Sequence, residues 1–443
     1  MKILTPTEAA EFALSAAKNA QCEADVVVTT SKDLSLKADS GALSEYKVTS
    51  SNVLGLRLLR DGKVSTSFTE ALDSESITAS LNMALENLPY TELAEHESLV
   101  ANRVIKTETP EIYCDDDTPE ADKVALALSL ESQVAEKGGK SPYNAYSDGE
   151  SELIYMNSLG ANGYHKERAF SCYTSALISG DGTPSMGIKA STARTFAELD
   201  AQGCVDTALQ KATSLLDGKP ISTGRYAVIF DIACLSQLFS AFSLCLSGEA
   251  ARKETNPWRD KLTQHVASPL FNLSDYAAYD KGLAIKAFDG EGIETQDTAL
   301  IVGGELRSLL HNSKTAAHFG LKTTGNAARS AKSGLSVSSR HKVIEPGQAS
   351  DTDLETGTYF VPIELQGVHS GANAISGDFS FGASGYLYRD GELVQPVRGV
   401  TIAGNFYQML KDIDAVGAHV ERADSGTFFS PRIRFSQLNI SGQ

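Results

Sequence analysis

The stretch GVHSGANAISGDFSFGASGYLYRDGELVQPVRGVTIAGN, residues 367–405, decides the architecture of the second half of the chain. Its glycines are denser than anywhere else in the sequence, which indicates left-handed backbone or close backbone approach. Asp390-Gly391 stands between two apolar strand patterns and predicts a tight hairpin. Asn405 can cap a helix whose apolar spacing extends to Val416, with Gly417 as its end. The stretch therefore predicts a glycine-rich surface, a hairpin and a packed helix.

Length and charge narrow the class of protein. The chain has 443 residues, and 42% of them are hydrophobic. A chain of this length usually folds around more than one hydrophobic core, so we expect more than one domain. A formal net charge of −17 argues against nucleic acid or an anionic membrane as a partner. The sequence has no apolar run of about 18 residues and no signal-peptide pattern at its start. Six scattered cysteines without a CxxC pair favour buried thiols. We expect a cytoplasmic protein that contacts no membrane.

Turn residues and helix-start patterns indicate elements of both kinds. Asp61-Gly62 and Gly303-Gly304 each stand between apolar strand patterns and predict two more hairpins. Thr5-Pro6-Thr7-Glu8 combines an N-cap, a first-turn proline and the acidic half of a capping box, so it predicts a helix. Thr118-Pro119-Glu120 predicts another. Together the patterns predict an α+β fold, with a mixed α/β N-terminal part followed by a large antiparallel-β-rich C-terminal domain.

We divide the chain into three parts on this pattern. Residues 1–105 are an N-terminal α/β domain, residues 106–220 a central α/β segment packed with it, and residues 221–443 a C-terminal β-rich domain. Within the last part, the segment from Asp231 to Gly248 is apolar nearly all round, which predicts one buried helix. Its small polar residues fall at helical spacing and form a narrow stripe: Ser236, Ser240, Ser243 and Ser247.

Several side-chain patterns raise the question of catalysis, and none is complete. His311 and His318, seven residues apart, are either two metal ligands on one face or structural histidines, and the absence of HExxH favours the second. His369-Ser370 near Asp378 invites a hydrolase triad, but adjacent side chains point apart and no GxSxG elbow is present. The acidic run 115–117 is expected to be a solvated turn. Because GxxxxGK[ST] and GxGxxG are also absent, we expect no cofactor.

Five stretches, taken together and in order, resemble the TldD/PmbA family, whose members were once described as modulators of DNA gyrase. They are GLRLLRDGKVSTSF at 55–68, FDGEGIETQDTALIVGGELRSLLH at 288–311, TTGNAAR at 323–329, SGDFSFGASG at 376–385 and PVRGVTIAGN at 396–405. The resemblance spans nearly the whole chain. It implies an α/β N-terminal part and a large C-terminal part built on curved antiparallel sheet.

The resemblance also bears on a metal that one branch of the family uses. The TldD branch carries a His-Glu-x-x-x-His motif on a helix, plus a later cysteine, and these residues hold a catalytic metal. Here the aligned positions are Ser240, Ala241 and Cys245, and the stretch 426–429 contains no cysteine. Serine and alanine cannot replace imidazole and carboxylate in a zinc site. The resemblance therefore implies the PmbA (TldE) branch, with no catalytic residue and no metal ligand in this chain.

The resemblance implies that this chain is a non-metal subunit of a heteromeric metallopeptidase. The subunit is expected to be inactive alone. Its partner is expected to be a TldD-like zinc-bearing paralogue, and its substrates unfolded or leader peptides. We expect a homodimer when the chain is alone. The alternative is a peptide- or protein-binding homodimer with no part in proteolysis.

The opening stretch supplies the candidate surface for a peptide or partner. Its residues are His369, Ser370, Asp378, Gly382 and Gly385. The close backbone approach that the two glycines permit would suit a peptide added to a sheet edge. Internal curvature of the sheet would need the same glycines, so both interpretations stay open.

Overall fold

The computed structural model describes residues 3–101, 103–109, 111–180 and 183–443. Most of its strands form two large sheets, one in each half of the chain, and helices pack against them. The predicted α+β class is confirmed, with helices and strands mixed in the first half and strands dominating the second. None of the helices in the described ranges is long and apolar enough to cross a membrane.

The first half is a seven-stranded sheet covered by four longer helices, counted over the described residues. Its strands are β1 (Glu23–Asp39), β2 (Ala42–Arg60), β3 (Lys63–Thr69), β4 (Val104–Thr107), β5 (Asn144–Asn157), β6 (Asn162–Ile178) and β7 (Ser185–Ala193). Its helices are α1 (Pro6–Asn19), α2 (Ser74–Asn87), α3 (Glu120–Glu136) and α4 (Ala201–Ser214). In space the strands run β3-β2-β1-β5-β6-β4, and β7 also pairs with β6.

Local chemistry explains where the first helix begins. The Thr5 hydroxyl accepts a hydrogen bond from the Glu8 backbone N–H (3.3 Å), and the Glu8 carboxylate accepts one from the Thr5 backbone N–H (2.8 Å). This is the predicted capping box. Helices α1 and α2 share one apolar cluster with β1 and β2, whereas α3 and α4 pack over Tyr146 and Phe170 of β5 and β6. Two separate cores therefore support the same sheet.

The second half contains most of the strands in the part of the chain that the structure describes. The strands are β8 (Gly224–Ile229), β9 (Leu273–Tyr276), β10 (Thr298–Val302), β11 (Glu305–Leu306), β12 (Ala327–Ala328), β13 (Ser336–Val337), β14 (His341–Ile344), β15 (Thr358–Gln366), β16 (Asp378–Arg389), β17 (Glu392–Asn405), β18 (Ile413–Arg422) and β19 (Phe428–Ser441). The helices are α5 (Ile232–Ala241), α6 (Gly248–Arg252), α7 (Ser313–His318), α8 (Asp351–Leu354), α9 (Val368–Gly371) and α10 (Phe406–Lys411).

Five of these strands close on themselves. Strand β8 pairs with β15, β15 with β16, β16 with β17, β17 with β19, and β19 returns to β8. Strands β14, β9, β10 and β11 extend the sheet outward from β19, and β18 also pairs with β19. Alternate residues of one strand serve two cores: Val228 joins the large aromatic core around α5, and Ala227 and Ile229 join a smaller one with Tyr359.

The three predicted hairpins are confirmed, and their turns share one conformation. Asp61 and Gly62, Gly303 and Gly304, and Asp390 and Gly391 all have positive φ at both central positions. A two-residue turn with two left-handed residues matches the twist of the strands that it joins. Asp-Gly and Gly-Gly are suited to it because glycine adopts positive φ without strain and aspartate tolerates it.

The predicted helix from Asn405 to Val416 is too long. Asn405 does cap the helix, since its side-chain oxygen accepts from the Gln408 backbone N–H (3.2 Å), but α10 ends at Lys411. Ile413 and Val416 belong instead to β18. The register of β18 against β19 shifts between Ile413 and Ala415, and this irregularity lets residues three apart in sequence both face the core, which imitates helical spacing.

The single helix predicted from Asp231 to Gly248 is also wrong. Helix α5 ends at Ala241, a 3-10 turn covers residues 243–246, and α6 begins at Gly248. Tertiary contacts impose the break: the Phe242 ring stacks on Phe406 (4.5 Å between centroids), and the Gly248 backbone N–H donates to Leu310 (2.8 Å). The apolar sequence alone does not reveal these partners.

The two sheets meet along an interface that we call the seam. Val27 of β1, Tyr155 of β5 and Ala161 of the β5–β6 turn form an apolar cluster with Phe288 and Ala331 from the second half. Here β2 approaches so closely that a Cβ on Gly55 would lie 2.0 Å from the Ala331 carbonyl oxygen. A residue other than glycine at position 55 would therefore push the halves apart.

A buried ion cluster crosses the same seam. The Asp25 carboxylate accepts from Arg57 Nε (2.9 Å) and Nη2 (2.5 Å), and also pairs with Arg329 from the second half. Arg57 Nη1 donates in turn to Glu97 (2.6 Å), which Lys314 reaches at 3.1 Å. Burial opposes ionisation of Asp25, but Arg329 and Arg57 outweigh it and hold the pKa of that carboxyl below its usual range. The cluster ties both halves together electrostatically.

Candidate functional site

The segment that we aligned with the family's metal motif on the sequence resemblance lies at the end of α5. The Asp231 carboxylate caps the beginning of this helix by accepting from the Ala233 backbone N–H (2.9 Å). After the break at Phe242, the Ser247 hydroxyl caps α6 by accepting from the Ala250 backbone N–H (3.2 Å). The motif positions consequently lie on a helix end and a 3-10 turn, and their side chains diverge: Ser240 is exposed and Cys245 is buried.

A cavity of about 550 Å³, which we call the motif cavity, opens beside this segment. Three residues of the predicted serine stripe line it, together with the serines of the 338–339 segment. Ala241 and Ala374 also line it, and Ala374 belongs to the glycine-rich stretch. Its polar wall consists of Ser240, Ser243, Ser247, Ser338, Ser339 and Lys342.

Lys342 is the charged group of the motif cavity. Its backbone N–H donates to Thr427 (3.0 Å), which aligns β14 beside β19. Among the described residues, no carboxylate forms an ion pair with its ammonium group. Burial lowers the pKa of Lys342, while Asp275 and Cys245 oppose that shift. A partly desolvated cation of this kind attracts anionic groups and repels metal cations.

Cys245 does not reach the motif cavity. It is buried in the core, and its backbone carbonyl accepts from Asn256 Nδ2 (3.0 Å). Burial raises the pKa of the Cys245 thiol, and Lys342 offsets only part of that shift. A metal ligand must be the thiolate, so burial disfavours this cysteine as a ligand.

The residues at the motif positions do not fit the zinc that the family implies. A zinc site of the metallopeptidase kind needs about three protein ligands and a nearby base. Ser240 and Ala241 provide neither imidazole nor carboxylate, and Glu249, further on, is paired with Arg252 (2.8 Å) and Lys253 (3.3 Å). Over the described ranges, no group of three or more His, Cys, Asp or Glu residues is placed to hold a metal ion.

The two histidines seven residues apart occupy different environments. His311 is buried, its Nδ1 lies 3.1 Å from the Thr315 hydroxyl, and it packs against Gly248 of α6. Burial lowers the pKa of His311 to about 4, so the imidazole is neutral at physiological pH. His318 is exposed. His311 is thus close to the motif segment in space, although its position in the sequence gives no indication of this.

The candidate surface residues lie around α9 and the beginning of β16. His369, Ser370 and Asp378 are exposed. Ser370 donates its hydroxyl to the Gly367 carbonyl (3.2 Å), whereas the Asp378 carboxylate accepts from Ser376 (2.9 Å) and Asn405 (2.9 Å). These hydrogen bonds do not link the three side chains into a triad.

The two glycines of that surface differ from each other. A Cβ on Gly382 would make only ordinary contacts with Gln366. A Cβ on Gly385 would lie 2.0 Å from the Val361 carbonyl oxygen of β15. The close approach at Gly385 is therefore to the neighbouring strand of its own sheet, where β15 also bulges between Pro362 and Glu364.

Sequence reasoning missed Lys342. It lies 97 positions beyond Cys245, and the pairing of β14 with β9 and β19 brings it to the motif segment. The signal that could have identified it is a lysine inside a short strand. The strand is His341–Ile344, and its other three residues are buried. Buried lysines are rare enough that such a pattern indicates a specific environment.

Comparisons with known proteins agree with this architecture. Three domain profiles of the PmbA/TldA metallopeptidases match in order: domain 1 over residues 24–88, the central domain over 114–216 and the C-terminal domain over 223–442. The scaffold is thus that of a class of metallopeptidases. The chain belongs to the PmbA/TldD family, as the resemblance in sequence predicted.

Relatives match over nearly the full length. The metalloprotease PmbA homolog of Haemophilus influenzae is 25% identical, covering 98% of this chain and 96% of the relative. Metalloprotease PmbA of Escherichia coli O157:H7 gives the same identity and coverage. A crystal structure of a candidate modulator of a DNA gyrase from Thermotoga maritima superimposes with a TM-score of 0.88 at 26% identity, covering 99% of this chain and 100% of that one. TldE from Thermococcus kodakarensis shares the fold, with a TM-score of 0.85 at 22% identity over 98% of this chain and 100% of its own.

Proposed function

We propose that this chain is the non-metal subunit of a heteromeric TldD/TldE-type metallopeptidase that acts on unfolded or leader peptides. One observation carries the proposal: the family scaffold is kept over nearly the whole chain, while the metal-motif positions hold Ser240, Ala241 and Cys245. The Lys342 ammonium beside them supports it, because a cation there opposes metal binding. In this proposal catalysis belongs to a zinc-bearing TldD-like paralogue.

The contribution of this subunit is to hold the substrate or the partner. The exposed side chains His369, Ser370 and Asp378, with Gly382, form the proposed contact surface. Gly385 contributes only its backbone to this surface, because a side chain at this position would collide with β15. Main-chain hydrogen bonds to an extended peptide would tolerate varied substrate sequences.

The test combines a metal assay with a peptidase assay. The chain alone is expected to bind no stoichiometric zinc and to leave an unfolded peptide substrate intact, and mixing it with the paralogue is expected to start cleavage. A paralogue whose first motif histidine is replaced by alanine serves as the matched control, and the mixture should then be inactive. Stoichiometric zinc and cleavage by the chain alone would refute the proposal.

The second candidate is a homodimer that binds a peptide or a protein without any proteolytic role. It is favoured by the gyrase-modulator name of the Thermotoga maritima structure, which is 26% identical. Mixing with the paralogue separates the two candidates. Formation of a 1:1 complex and cleavage support the first, whereas a persistent homodimer that binds peptide but does not assist cleavage supports the second.

Three further points are part of the proposal. The chain is cytoplasmic, it forms a homodimer when alone, and its parts divide at residues 105 and 220. Limited proteolysis of the purified chain tests the division, because cleavage should concentrate near those two positions. Sedimentation of the chain alone measures the oligomeric state.

A further inference from the structure

A second cavity, of about 340 Å³, lies on the seam between the two sheets, and we call it the seam cavity. The N-terminal sheet supplies one wall with Val27, Leu153, Tyr155 and the carboxylate of Glu167. The other wall comes from loops of the C-terminal half, within residues 283–290 and 327–340. Only residues 288–290 and 327–329 of these loops fall within the stretches that carry the family resemblance.

Two cations line the seam cavity without direct counter-ions. Among the described residues, no carboxylate forms an ion pair with Lys286 or with Arg340. The Arg340 side chain donates one hydrogen bond, from Nη2 to the Gly325 carbonyl (3.3 Å). Its Nε is buried and has no acceptor in the part of the chain that the structure describes. A guanidinium group has five N–H donors, so most of the capacity of Arg340 is unused.

The acids around these cations are already engaged. Glu167 pairs with Arg194 (3.2 Å) and lies 3.4 Å from His165 Nε2. Asp289 accepts three backbone N–H groups, and its two oxygens are thereby occupied. Asp275 accepts from the Arg340 backbone N–H (2.7 Å) and from Asn326 Nδ2 (2.6 Å). These carboxylates attract the two cations from a distance without contacting them.

The cations also repel each other. Burial lowers the pKa of Lys286, Glu167 opposes that shift, and the charges of Arg340 and Arg194 lower it further. Burial likewise lowers the pKa of Arg340, although Asp289 and Asp275 attract it. Like charges that line the same partly desolvated cavity are unfavourable, and a bound anion would relieve their repulsion. An anion bound beside both cations would accept charge-assisted hydrogen bonds from them.

Apart from the Glu167 carboxylate, the N-terminal wall of the seam cavity is apolar. Val27 and Tyr155 of this wall belong with Phe288 to the apolar cluster of the seam, and Leu153 packs against that cluster. A cavity of this size with an apolar wall and a few convergent polar groups is typical of sites for small ligands. The shape therefore favours an anion that carries an apolar body over a bare inorganic ion.

We propose that the seam cavity binds a small carboxylate with an aromatic or aliphatic body, the carboxylate on Lys286 and Arg340 and the body against Phe288 and Tyr155. A free carboxylic acid and the C-terminal end of a peptide share this chemistry. The inference does not depend on any partner subunit, so it stands or falls separately from the proposed function.

The test uses isothermal titration calorimetry on the full chain with N-acetyl-L-phenylalanine as the probe and its C-terminal amide as the matched control. The acid is expected to bind at least about tenfold tighter than the amide, because only the acid makes charge-assisted hydrogen bonds. A tetrapeptide ending in phenylalanine identifies the source. If the tetrapeptide binds and N-acetyl-L-phenylalanine does not, the ligand is the C-terminal end of a peptide. If the two probes bind with equal affinity, the ligand is a small carboxylic acid.

Variants locate the site. Lys286→Met and Arg340→Met are each expected to weaken acid binding about tenfold or more, and Arg340→Lys, which keeps the charge, less. Lys342→Met removes the cation of the motif cavity and should leave acid binding unchanged. Equal binding of acid and amide, no binding of any probe at millimolar concentration, or full binding by both methionine variants would overturn the proposal. The first two outcomes need only the wild-type chain, so they hold even if a variant does not fold.

Discussion

Two groups of buried charge lie along the same seam and are arranged in opposite ways. Asp25 is clamped between Arg57 and Arg329, so each charge of that cluster has a partner. Lys286 and Arg340 line a cavity, and neither forms an ion pair among the described residues. The paired cluster holds the two halves in register, whereas the unpaired cations retain their capacity to bind an anion. The comparison separates charges used for structure from charges available for a ligand.

Glu291 provides a third case on the same seam. It is buried, and its carboxylate accepts from the Ser313 backbone N–H (2.9 Å). Burial and the neighbouring charge of Asp289 raise the pKa of Glu291 to about 7. Unlike Asp25, this acid has no arginine in direct contact among the described residues, and near pH 7 it is about half protonated.

The largest effect is expected at the paired cluster. Asp25→Ala leaves Arg57 and Arg329 buried together without their shared anion, which should cost about 3–5 kcal/mol of unfolding free energy. Urea denaturation followed by circular dichroism measures the loss. Asp39→Ala, at an exposed position of the same strand, is the matched control and should change stability by less than about 0.5 kcal/mol. Similar stabilities for the two variants would mean that the cluster does not hold the seam.

An intermediate effect, dependent on pH, is expected at Glu291. The folded-state pKa lies above the ordinary value of 4.5, so between about pH 4.5 and 7 the folded chain binds more protons than the unfolded chain. This contribution therefore destabilises the fold progressively as pH rises through that window. Glu291→Gln, neutral throughout, should be more stable than the wild type by up to about 3 kcal/mol at pH 8 and nearly equal to it at pH 4.5.

The measurement is thermal or urea unfolding of both chains at the two pH values. Glu294→Gln is the control, because that side chain is 75% exposed and should show no such pH dependence. A Glu291→Gln variant that is equally stable to the wild type at both pH values would show that the carboxylate is not destabilised by burial.

The smallest effect is expected at the unpaired cations. Arg340→Met removes one of two mutually repelling charges. The unfolding free energy should change by no more than about 1 kcal/mol in either direction. Arg329→Met is the matched comparison, because it breaks the pair with Asp25 and should be clearly less stable. Equal losses in the two variants would erase the distinction between structural and ligand-binding charges.

Local turn chemistry accounts for what the sequence predicts well. The three two-residue hairpins and the capping box at Thr5 depend on neighbours within four positions, and each is confirmed. The ends of α5 and α10 were predicted wrongly because distant partners determine them: Phe406 stacks on Phe242, and β19 pairs with Ile413. Propensity and periodicity contain no information about such partners.

For the candidate sites too, the sequence identifies single positions, and distant contacts determine which residues come together. The motif positions Ser240, Ala241 and Cys245 came from the resemblance to a family, and only the structure shows that Ser240 lines a cavity while Cys245 does not. Lys286 and Arg340 stand 54 positions apart in loops without regular periodicity, so no sequence pattern joins them. Their association depends on how the two loops fold over the seam.

The ring of five strands also has a consequence for the synthesis of the chain. Strand β8 ends at Ile229, and its antiparallel partner β19 begins at Phe428, roughly 200 residues later. At a translation rate of about 5–20 residues per second, one edge of β8 waits on the order of ten to forty seconds for its partner. During that interval the emerging half-ring presents an open edge to other chains. The cell must therefore protect this segment while the ribosome is still at work, or complete the ring only after release.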